Sequence, residues 1–320
     1  ILGEYVDFSL AKFPFVDKYQ LMSVNQSVHT RKLASLSVSV ELLKPITWFP
    51  PMWAFLCGAV SAGFVFLEHL PIVFIGILLA GPVICGMSQA INDWGDRVVD
   101  AINEPSRPIP SGRISSTWAF SLAILLSVGG LLIGWSLGEW VLIATVVAIF
   151  CAWAYSVEPI RLKKSGILGP AIVAICYEGL PWFTGAAVIF QGLPDIKIIL
   201  FAALYAFGAF GIMTLNDFKA LKGDTITGVN SLPVTIGPEK ASKVACAVMV
   251  IPQLIVFSLL YYFGAFIEAI LIGLLLISQI GLMRKLTKNP EKLAPWYNAT
   301  GVTLYVIGMM VTAVALRDLI

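Results

Sequence analysis

Residues 71–100 read PIVFIGILLAGPVICGMSQAINDWGDRVVD, an apolar run that ends in a group of acids. No charged side chain occurs from position 71 to position 92. A run of about 20 mostly apolar residues is enough for a helix to span the hydrocarbon core of a membrane. Asp93, Asp96 and Asp100 then follow at spacings that a helix could bring together. This stretch therefore predicts a transmembrane helix with an acidic end.

The rest of the chain has the same apolar character. Of its 320 residues, 58% are hydrophobic and 12% are charged, and the mean hydropathy is +0.87. A soluble domain carries about 25% charged residues, so we predict an all-α, polytopic membrane protein. Nine apolar runs are long enough to span a membrane, at residues 47–67, 71–93, 117–136, 139–157, 166–190, 196–215, 240–262, 264–283 and 299–316.

Lysine and arginine are shared unevenly between the two sides of this predicted bundle. All 21 of them except Lys197 and Arg317 lie before the first run or in and next to the loops after the second, fourth, sixth and eighth runs. Cytoplasmic loops of membrane proteins retain positive charge. The amino terminus and both acidic groups of the chain are therefore predicted to face the cytoplasm.

The chain is predicted to have one membrane domain, residues 41–320, after an amino-terminal cytoplasmic segment at residues 1–40. The first 21 residues precede Met22, and an upstream extension, a tag remnant and a misassigned start are all open interpretations of them. We place no function on these residues. No stripe of basic residues indicates a nucleic-acid partner.

A second acidic group, Asn216-Asp217-Phe-Lys-Ala-Leu-Lys-Gly-Asp224, follows the sixth apolar run and repeats the Asn-Asp-aromatic order of the first. Gly223 is expected to turn the chain before Asp224. Carboxylates this close repel one another unless a cation binds between them, and Mg²⁺ prefers oxygen ligands combined with substrate phosphates. Solvated helix ends paired with nearby bases are the alternative. The predicted metal ligands are Asn92, Asp93, Asp96, Asp100, Asn216, Asp217 and Asp224.

Basic residues stand in loops next to the acidic groups. The segment 103–113, NEPSRPIPSGR, is stiffened by prolines, and the segment 155–164 reads YSVEPIRLKK. A guanidinium group offers paired donors that suit phosphate oxygens, although ordinary cytoplasmic positive charge is the alternative explanation. The predicted diphosphate-binding residues are Arg97, Arg107, Arg161, Lys163 and Lys219. The predicted catalytic residues are Asp96, Asp100, Asp217, Asp224 and Tyr155.

Further polar and aromatic residues lie inside or at the edge of apolar runs. Glu178 is within the fifth run, where an ionisable side chain is expected to face a cavity or a partner group rather than lipid. Trp48 and Phe49 begin the first run, and Trp182 follows Glu178 by about one helical turn. These four residues are the predicted lining of a substrate cavity. Core packing or anchoring at the membrane interface is the alternative for the aromatic residues.

Three motifs in this order resemble the intramembrane prenyltransferase, or UbiA, superfamily and, within it, the chlorophyll and bacteriochlorophyll synthase branch. The motifs are NDxxDxxxDxxNEPxRPIPSG from Asn92 to Gly112, YSxxPxRLK from Tyr155 to Lys163 and NDFKxxxGDxxxGxxSLP from Asn216 to Pro233. The resemblance runs from about Glu41 to the carboxyl terminus. Other stretches, such as YEGLPWFTGA, are most similar to the enzymes of purple phototrophic bacteria.

This resemblance implies nine helices around a central cavity, two Mg²⁺ ions bridging an isoprenoid diphosphate, and a chlorin acceptor. The implied reaction esterifies the propionate carboxylate of bacteriochlorophyllide a with a geranylgeranyl or phytyl group, and the choice of donor is left open. The implied location is a bacterial inner (intracytoplasmic) membrane. Membrane lipid, a geranylgeranyl reductase and pigment-protein assembly factors are the implied partners. Many superfamily members have an acid at the position of Ala220, which leaves the ligands of the second metal open.

Two other functions are alternatives at this point. A prenyltransferase that acts on chlorophyllide, or on a quinone, haem or tocopherol precursor, would use the same metals with another acceptor. A transporter would instead need acids spread through the depth of the membrane. The acids here are concentrated at one face, with Glu178 as the interior exception.

Overall fold

The computed structural model describes residues 35–320, and within this range the chain is α-helical with no β-strand. The predicted all-α class is confirmed. Residues 1–34 lie outside the described residues. They include the segment before Met22 and most of the predicted amino-terminal segment, so the interpretations of that segment are not tested by the structure.

Within the described part of the chain, eight helices are long and apolar enough to cross a membrane, which confirms a multi-pass membrane protein. They are α3 (Phe66–Asn103), α4 (Ser116–Leu137), α5 (Glu139–Ser156), α6 (Leu168–Phe190), α7 (Ile196–Ala220), α10 (Pro238–Tyr262), α11 (Phe266–Leu286) and α12 (Pro290–Leu319). The shorter helices are α1 (Leu36–Leu42), α2 (Phe49–Ser61), α8 (Leu221–Thr227) and α9 (Leu232–Ile236).

The first predicted span, residues 47–67, forms a helix that is shorter than expected. Helix α2 has 13 residues and carries prolines in its first turn, where the missing N–H is tolerated. It ends just before Gly63, whose φ of 88° is incompatible with a continuing right-handed helix. The nine predicted runs therefore correspond to eight helices of membrane length and one short apolar helix among the described residues, and a count of nine spans is not confirmed.

Helices α7 and α12 are antiparallel, and contacts at their two ends define the two ends of the bundle. At one end the Asn298 Nδ2 donates to Asn216 Oδ1 at 2.8 Å. At the other, Lys197 Nζ donates to the carbonyl oxygen of Leu319 at 3.0 Å. We call the first the polar end, because the acidic groups lie there, and the second the far end. A helix of this length separates them by roughly 30 Å.

Two of the long helices contain a wider, π-helical turn. In α3 it covers Leu79–Cys85 around Pro82, and in α6 it covers Ile175–Gly179, immediately before Pro181. Such turns insert a residue into the helical repeat and are frequent at functional sites. Beyond each turn, the residues that share a face no longer follow the spacing of an unbroken α-helix.

Helices α2 and α6 cross at very short distance in the middle of the bundle. A Cβ atom at Gly58 would overlap with the carbonyl oxygen of Trp182, and one at Gly185 would overlap with that of Phe55. Small residues allow membrane helices this close approach. Trp182 also stacks on Tyr205 of α7, with ring centroids 5.4 Å apart. This tightly packed core gives the polar end a rigid base.

Candidate active site

One face of α3 presents Asn92 and Asp96 to the loop that follows α5. Lys163 Nζ donates to Asn92 Oδ1 at 3.2 Å and to Asp96 Oδ1 at 2.5 Å. Arg161 Nη2 donates to the same Asp96 oxygen at 2.9 Å. The helix continues unbroken to Asn103, so the predicted i, i+4 spacing does bring these two side chains together. Burial lowers the pKa of the Lys163 ammonium group, and the Asp96 carboxylate opposes that shift.

Asp93 and Asp100, seven residues apart, share a neighbouring face of α3. Arg107 Nη1 donates to Asp100 Oδ2 at 2.7 Å and lies 3.5 Å from Asp93 Oδ1. Lys44 Nζ donates to the same Asp93 oxygen at 2.6 Å. Asp93 is 2% exposed, and its Oδ2 has no hydrogen-bond partner among the described residues. All three carboxylates of the first acidic group are therefore bonded to bases from other segments of the chain.

The loop after α5 is held in place on both sides. An added Cβ at Gly95 would lie 2.8 Å from the carbonyl oxygen of Ser156, so the ends of α3 and α5 pack closely. Glu158 accepts from Lys164 Nζ at 2.6 Å and from Arg161 Nη1 at 3.1 Å. The hydrogen bond from Lys164 lowers the pKa of the Glu158 carboxyl. These contacts fix the direction in which Arg161 leaves the backbone.

The second acidic group occupies a bend between two helices. Asp217 begins a 3₁₀ turn, Asp217–Ala220, which closes α7, and Asp224 lies in α8. The expectation that Gly223 turns the chain is wrong, because Gly223 is inside α8. The turn comes later, at Gly228, which has a φ of 71°. Burial raises the pKa of the Asp224 carboxyl.

The two acidic groups lie at the same end of the bundle. An added Cβ at Gly223, next to Asp224, would be 3.8 Å from Asn103 Nδ2 at the end of α3. The Tyr155 hydroxyl is within electrostatic range of Asp96, Asp217 and Asp224. Both groups and the bases around them thus lie near one another at the polar end.

The loops that carry these residues are also joined through their backbones. The amide of Asn230 donates to the carbonyl oxygen of Lys164 at 3.3 Å, and Ser165 forms an isolated bridge with Asn230. The segment after α8 is therefore attached to the loop that carries Arg161 and Lys163.

Comparison with known proteins assigns a family to this arrangement. Residues 47–307 match the UbiA prenyltransferase family. The chain belongs to this family. The matched region includes both acidic groups and the loops that carry Arg107, Arg161 and Lys163.

Individual UbiA relatives refine this result. The chain is 58% identical over 298 residues to the bacteriochlorophyll synthase 33 kDa chain of Cereibacter sphaeroides, covering 93% of this chain and 99% of the relative. It is 53% identical over 290 residues to the protein of the same name from Rhodobacter capsulatus, covering 90% and 95%. The predicted resemblance to the bacteriochlorophyll synthase branch is confirmed.

A solved UbiA structure confirms the fold. It is a UbiA homologue from Archaeoglobus fulgidus, bound to GPP and Mg²⁺. The two folds agree with a TM-score of 0.65 at 20% sequence identity, covering 85% of this chain and 99% of the other. At this identity the likeness applies to the fold alone.

The donor set at the polar end fits a metal that is shared with a substrate. Nowhere in residues 35–320 are three or more His, Cys, Asp and Glu side chains close enough to hold a metal ion by themselves. Mg²⁺, however, is usually held by one or two carboxylates and completes its shell with water and phosphate oxygens. Two separate acidic groups at the same end of the bundle, each with an asparagine amide, suit this mode of binding.

Two of the predicted diphosphate-binding residues stand apart from the others. The Arg97 guanidinium lies over the ring of Trp94, 4.6 Å from its centroid, and donates to the carbonyl oxygen of Trp94 at 2.7 Å. Lys219 is exposed and within electrostatic range of Asp217. Their predicted contact with diphosphate stays a prediction.

The predicted cavity residues have different surroundings. Phe49 is 55% exposed and stacks on Trp53, with ring centroids 5.8 Å apart, and Trp48 Nε1 donates to the carbonyl oxygen of Leu43 at 2.8 Å. Trp182 is completely buried in the core. Glu178 is 4% exposed and so does not face lipid, and its Oε2 has no partner among the described residues. Contact of these residues with substrate stays a prediction.

The sequence interpretation missed two residues at the polar end. Lys44 is bonded to Asp93, and Asn298 is bonded to Asn216. Lys44 was counted only as a cytoplasmic charge, although its place just before the first apolar run was a usable signal. Asn298 lies in the first third of α12, and no spacing rule connects it with Asn216 more than 80 positions earlier.

Proposed function

We propose that this UbiA prenyltransferase esterifies the propionate carboxylate of bacteriochlorophyllide a with a geranylgeranyl or phytyl group and releases diphosphate. The observation that carries the proposal is the 58% identity to a bacteriochlorophyll synthase chain, which extends over 99% of that relative. The polar end supplies acids for a divalent cation and bases for a diphosphate beside one opening.

We further propose that the polar end faces the cytoplasm in a bacterial inner (intracytoplasmic) membrane. Lys44, Arg107, Arg161 and Lys163 meet there, whereas Lys197 lies at the far end. Segments rich in lysine and arginine stay on the cytoplasmic side. The apolar bundle would take the isoprenoid chain, with the diphosphate left at the cytoplasmic opening.

The bases at the opening would bind the diphosphate of the donor. Arg107, Arg161 and Lys163 are only 31%, 17% and 13% exposed, so their charges are poorly screened by water and act strongly on a bound anion. In the absence of substrate they bond to α3 carboxylates. We propose that they turn to phosphate oxygens when the donor arrives, stabilising the charge that develops as diphosphate leaves.

The acidic groups would hold the metal, proposed as two Mg²⁺ ions. Bound Mg²⁺ would neutralise the diphosphate and make it a better leaving group. The first group offers Asn92, Asp96 and Asp100, and the second offers Asn216, Asp217 and Asp224. Asp93 has less access to the opening than Asp96, because it is 2% exposed against 18%.

The transfer step needs no general base. One oxygen of the propionate carboxylate forms a bond to C1 of the prenyl group, while the bond from C1 to the diphosphate oxygen breaks and its electron pair leaves with diphosphate. A propionate has a pKa near that of a glutamate side chain, about 4.3, and is already ionised at neutral pH. Of the two histidines, His69 accepts from the amide of Val65 near the far end of α3, and His29 lies outside the described residues.

Chromatography of pigments formed by membranes that contain this protein tests the proposal. Membranes would be incubated with Mg²⁺, bacteriochlorophyllide a and either geranylgeranyl or phytyl diphosphate, with chlorophyllide a and 4-hydroxybenzoate as competing acceptors. We expect esterified bacteriochlorophyll, and its ratio between the two donors reports donor preference. Lys197→Met removes a positive charge at the far end and should form the same products as the wild type, so it serves as the control variant. Prenylation of 4-hydroxybenzoate without pigment ester would contradict the proposal.

The membrane environment and the other predicted partners belong to the same proposal. The esterified product is apolar and would pass sideways into membrane lipid. A geranylgeranyl reductase and pigment-protein assembly factors stay predicted partners, and co-purification from a pigment-producing membrane with this chain as bait would test them.

A further inference from the structure

Three residues other than glycine adopt a left-handed backbone in the described part of the chain. They are Lys44, Arg161 and Gln191, with φ values of 47°, 38° and 49°. Side chains rarely accept this conformation, and residues held in it concentrate at functional sites. Two of the three are basic, and both direct their charge at the first acidic group.

Lys44 and Arg161 are placed in the same way. Each immediately precedes a short 3₁₀ turn, Pro45–Thr47 for Lys44 and Leu162–Lys164 for Arg161. Each donates to a carboxylate of α3, Lys44 to Asp93 and Arg161 to Asp96, about one helical turn apart. Two segments distant in sequence therefore present a cation to α3 by the same local geometry.

Lys44 is held firmly in this position by the segment before it. Leu42 is completely buried. Glu41 pairs with both terminal nitrogens of Arg113 in the loop between α3 and α4, at 2.5 Å and 2.7 Å. Helix α1 is thereby attached to the loop that also carries Arg107.

Lys44 and Arg107 form a cluster of ion pairs with Asp93 and Asp100. Lys44 and Arg107 approach one oxygen of Asp93, at 2.6 Å and 3.5 Å, and Arg107 also bonds to Asp100. The Lys44 side chain is 26% exposed, more than that of Arg161 or Lys163. Lys44 therefore shares an acid with Arg107, a proposed diphosphate-binding residue, and its side chain is partly open to solvent.

We propose that Lys44 is a further diphosphate-binding residue, which transfers its ammonium group from Asp93 to a phosphate oxygen of the isoprenoid diphosphate. Asp93 then acts as a positioning residue for Lys44 and Arg107, not as a metal ligand. This inference rests on the proposed function. It adds a fourth cation, supplied by the amino-terminal segment, to those from the two cytoplasmic loops.

Lys44→Gly tests whether Lys44 contributes its charge to diphosphate binding or only its left-handed backbone to the fold. Glycine accepts the left-handed conformation without strain, so this variant removes the cation and relieves the backbone. Gln191→Gly relieves the backbone at the end of α6 without removing a charge, and it also removes the hydrogen bond from Gln191 Nε2 to the carbonyl oxygen of Val188. Lys44→Arg keeps the charge with a side chain that Arg161 shows to be compatible with this conformation. Binding of inorganic diphosphate in the presence of Mg²⁺ is measured by calorimetry on the purified full-length protein. Binding of Mn²⁺ alone is measured by electron paramagnetic resonance.

We expect Lys44→Gly to weaken diphosphate binding and to raise KM for geranylgeranyl diphosphate by roughly tenfold or more, the effect of losing one charge-assisted hydrogen bond. Its Mn²⁺ affinity and Tm should match those of Gln191→Gly, and Lys44→Arg should regain most of the affinity. Asp93→Asn should also keep the Mn²⁺ affinity of the wild type.

Unchanged diphosphate affinity in Lys44→Gly, with or without a change in Tm, would overturn the proposal and leave Lys44 as an anchor of α1. A loss of Mn²⁺ affinity in Asp93→Asn would overturn the positioning role. If Lys44→Gly did not fold, Lys44→Met would take its place, and unchanged diphosphate affinity in that variant would likewise overturn the proposal. Failure of the proposed function would look different, because the wild type itself would then form no pigment ester.

Discussion

The two acidic groups occupy equivalent places, each at the polar end of a long helix, yet their carboxylates have different neighbours. In the first group, Asp93, Asp96 and Asp100 each accept a hydrogen bond from a lysine or arginine. In the second, neither Asp217 nor Asp224 forms an ion pair with a side chain that the structure describes. Among the side chains that the structure describes, ion pairs therefore balance the charge of the first group but not that of the second.

On the proposed function, this difference indicates separate tasks: the first group would hold the diphosphate-binding bases as well as metal, and the second group would hold metal alone. The acids of the first group are hydrogen-bonded to the bases that are proposed to bind diphosphate. The second group has burial and mutual repulsion but little internal compensation, and burial raises the pKa of Asp224. A cation from solution should relieve the second group more than the first.

Removal of the divalent cation should have the largest effect on ester formation and should affect both acidic groups, because both then lose the ion that links them to the donor. We expect a chelator in excess over Mg²⁺ to lower pigment ester formation by roughly 10³-fold or more. Chromatography of the pigments measures the loss, and renewed Mg²⁺ should restore the product. Chelator already saturated with Mg²⁺ is the control. Undiminished product in free chelator would contradict a metal-dependent reaction.

Neutralising one acid in each group should give the next largest loss of ester formation. Asp96→Asn and Asp224→Asn are each expected to reduce ester formation by roughly 10³-fold, since each removes a charged metal ligand. Protein level in the membrane fraction should remain unchanged. Full activity in either variant would remove that position from the metal site.

The diphosphate affinities of the same two variants, measured without Mg²⁺, can distinguish the two acidic groups. Asp96→Asn should bind inorganic diphosphate more tightly than the wild type, because Arg161 and Lys163 lose an anionic partner. Asp224→Asn should show no such gain. Calorimetry without Mg²⁺ measures both, and equal behaviour of the two variants would contradict separate tasks.

Arg107→Lys should have an intermediate effect. Lysine keeps the charge that Arg107 Nη1 presents to Asp100 and Asp93, but it lacks the planar, forked donors of a guanidinium group that suit phosphate oxygens. We expect KM for the donor to rise roughly tenfold, with a smaller change in kcat. Steady-state kinetics measure the two separately, and Lys197→Met at the far end is the control. A change confined to kcat would mean that Arg107 is not a ground-state diphosphate ligand.

The smallest effect is expected at the surface pair that attaches α1. Glu41→Gln should change the free energy of unfolding by less than about 1 kcal/mol, because the pair with Arg113 is exposed to water. Thermal unfolding in detergent measures it. A larger loss would mean that α1 is essential to the fold of the polar end.

Much of this fold could be predicted because membrane spans depend on length and hydropathy alone. The positive charge of the loops also predicts that Arg107, Arg161 and Lys163 share a side, and in the structure all three bond to carboxylates at the end of α3. The i, i+4 relation of Asn92 and Asp96 followed from the regular helix.

The remaining features depend on departures from regular geometry. The left-handed backbone of Lys44 directs its side chain at Asp93, and a sequence pattern does not reveal such a conformation at lysine. The π-helical turn at Ile175–Gly179 changes which residues of α6 share a face, so Trp182 packs in the core against Ser61, to which its Nε1 donates at 3.1 Å. The expected turn at Gly223 failed because α8 continues through it.

The ion pairs on Asp96 have a consequence for the catalytic cycle. On the proposed function, an arriving diphosphate would have to displace the Asp96 carboxylate, because Arg161 and Lys163 are both bonded to it. After turnover the exchange can run in reverse, with Asp96 competing for both bases as the leaving group departs. Product inhibition by diphosphate should accordingly be moderate, and the resting enzyme should attract few other anions from the cytoplasm.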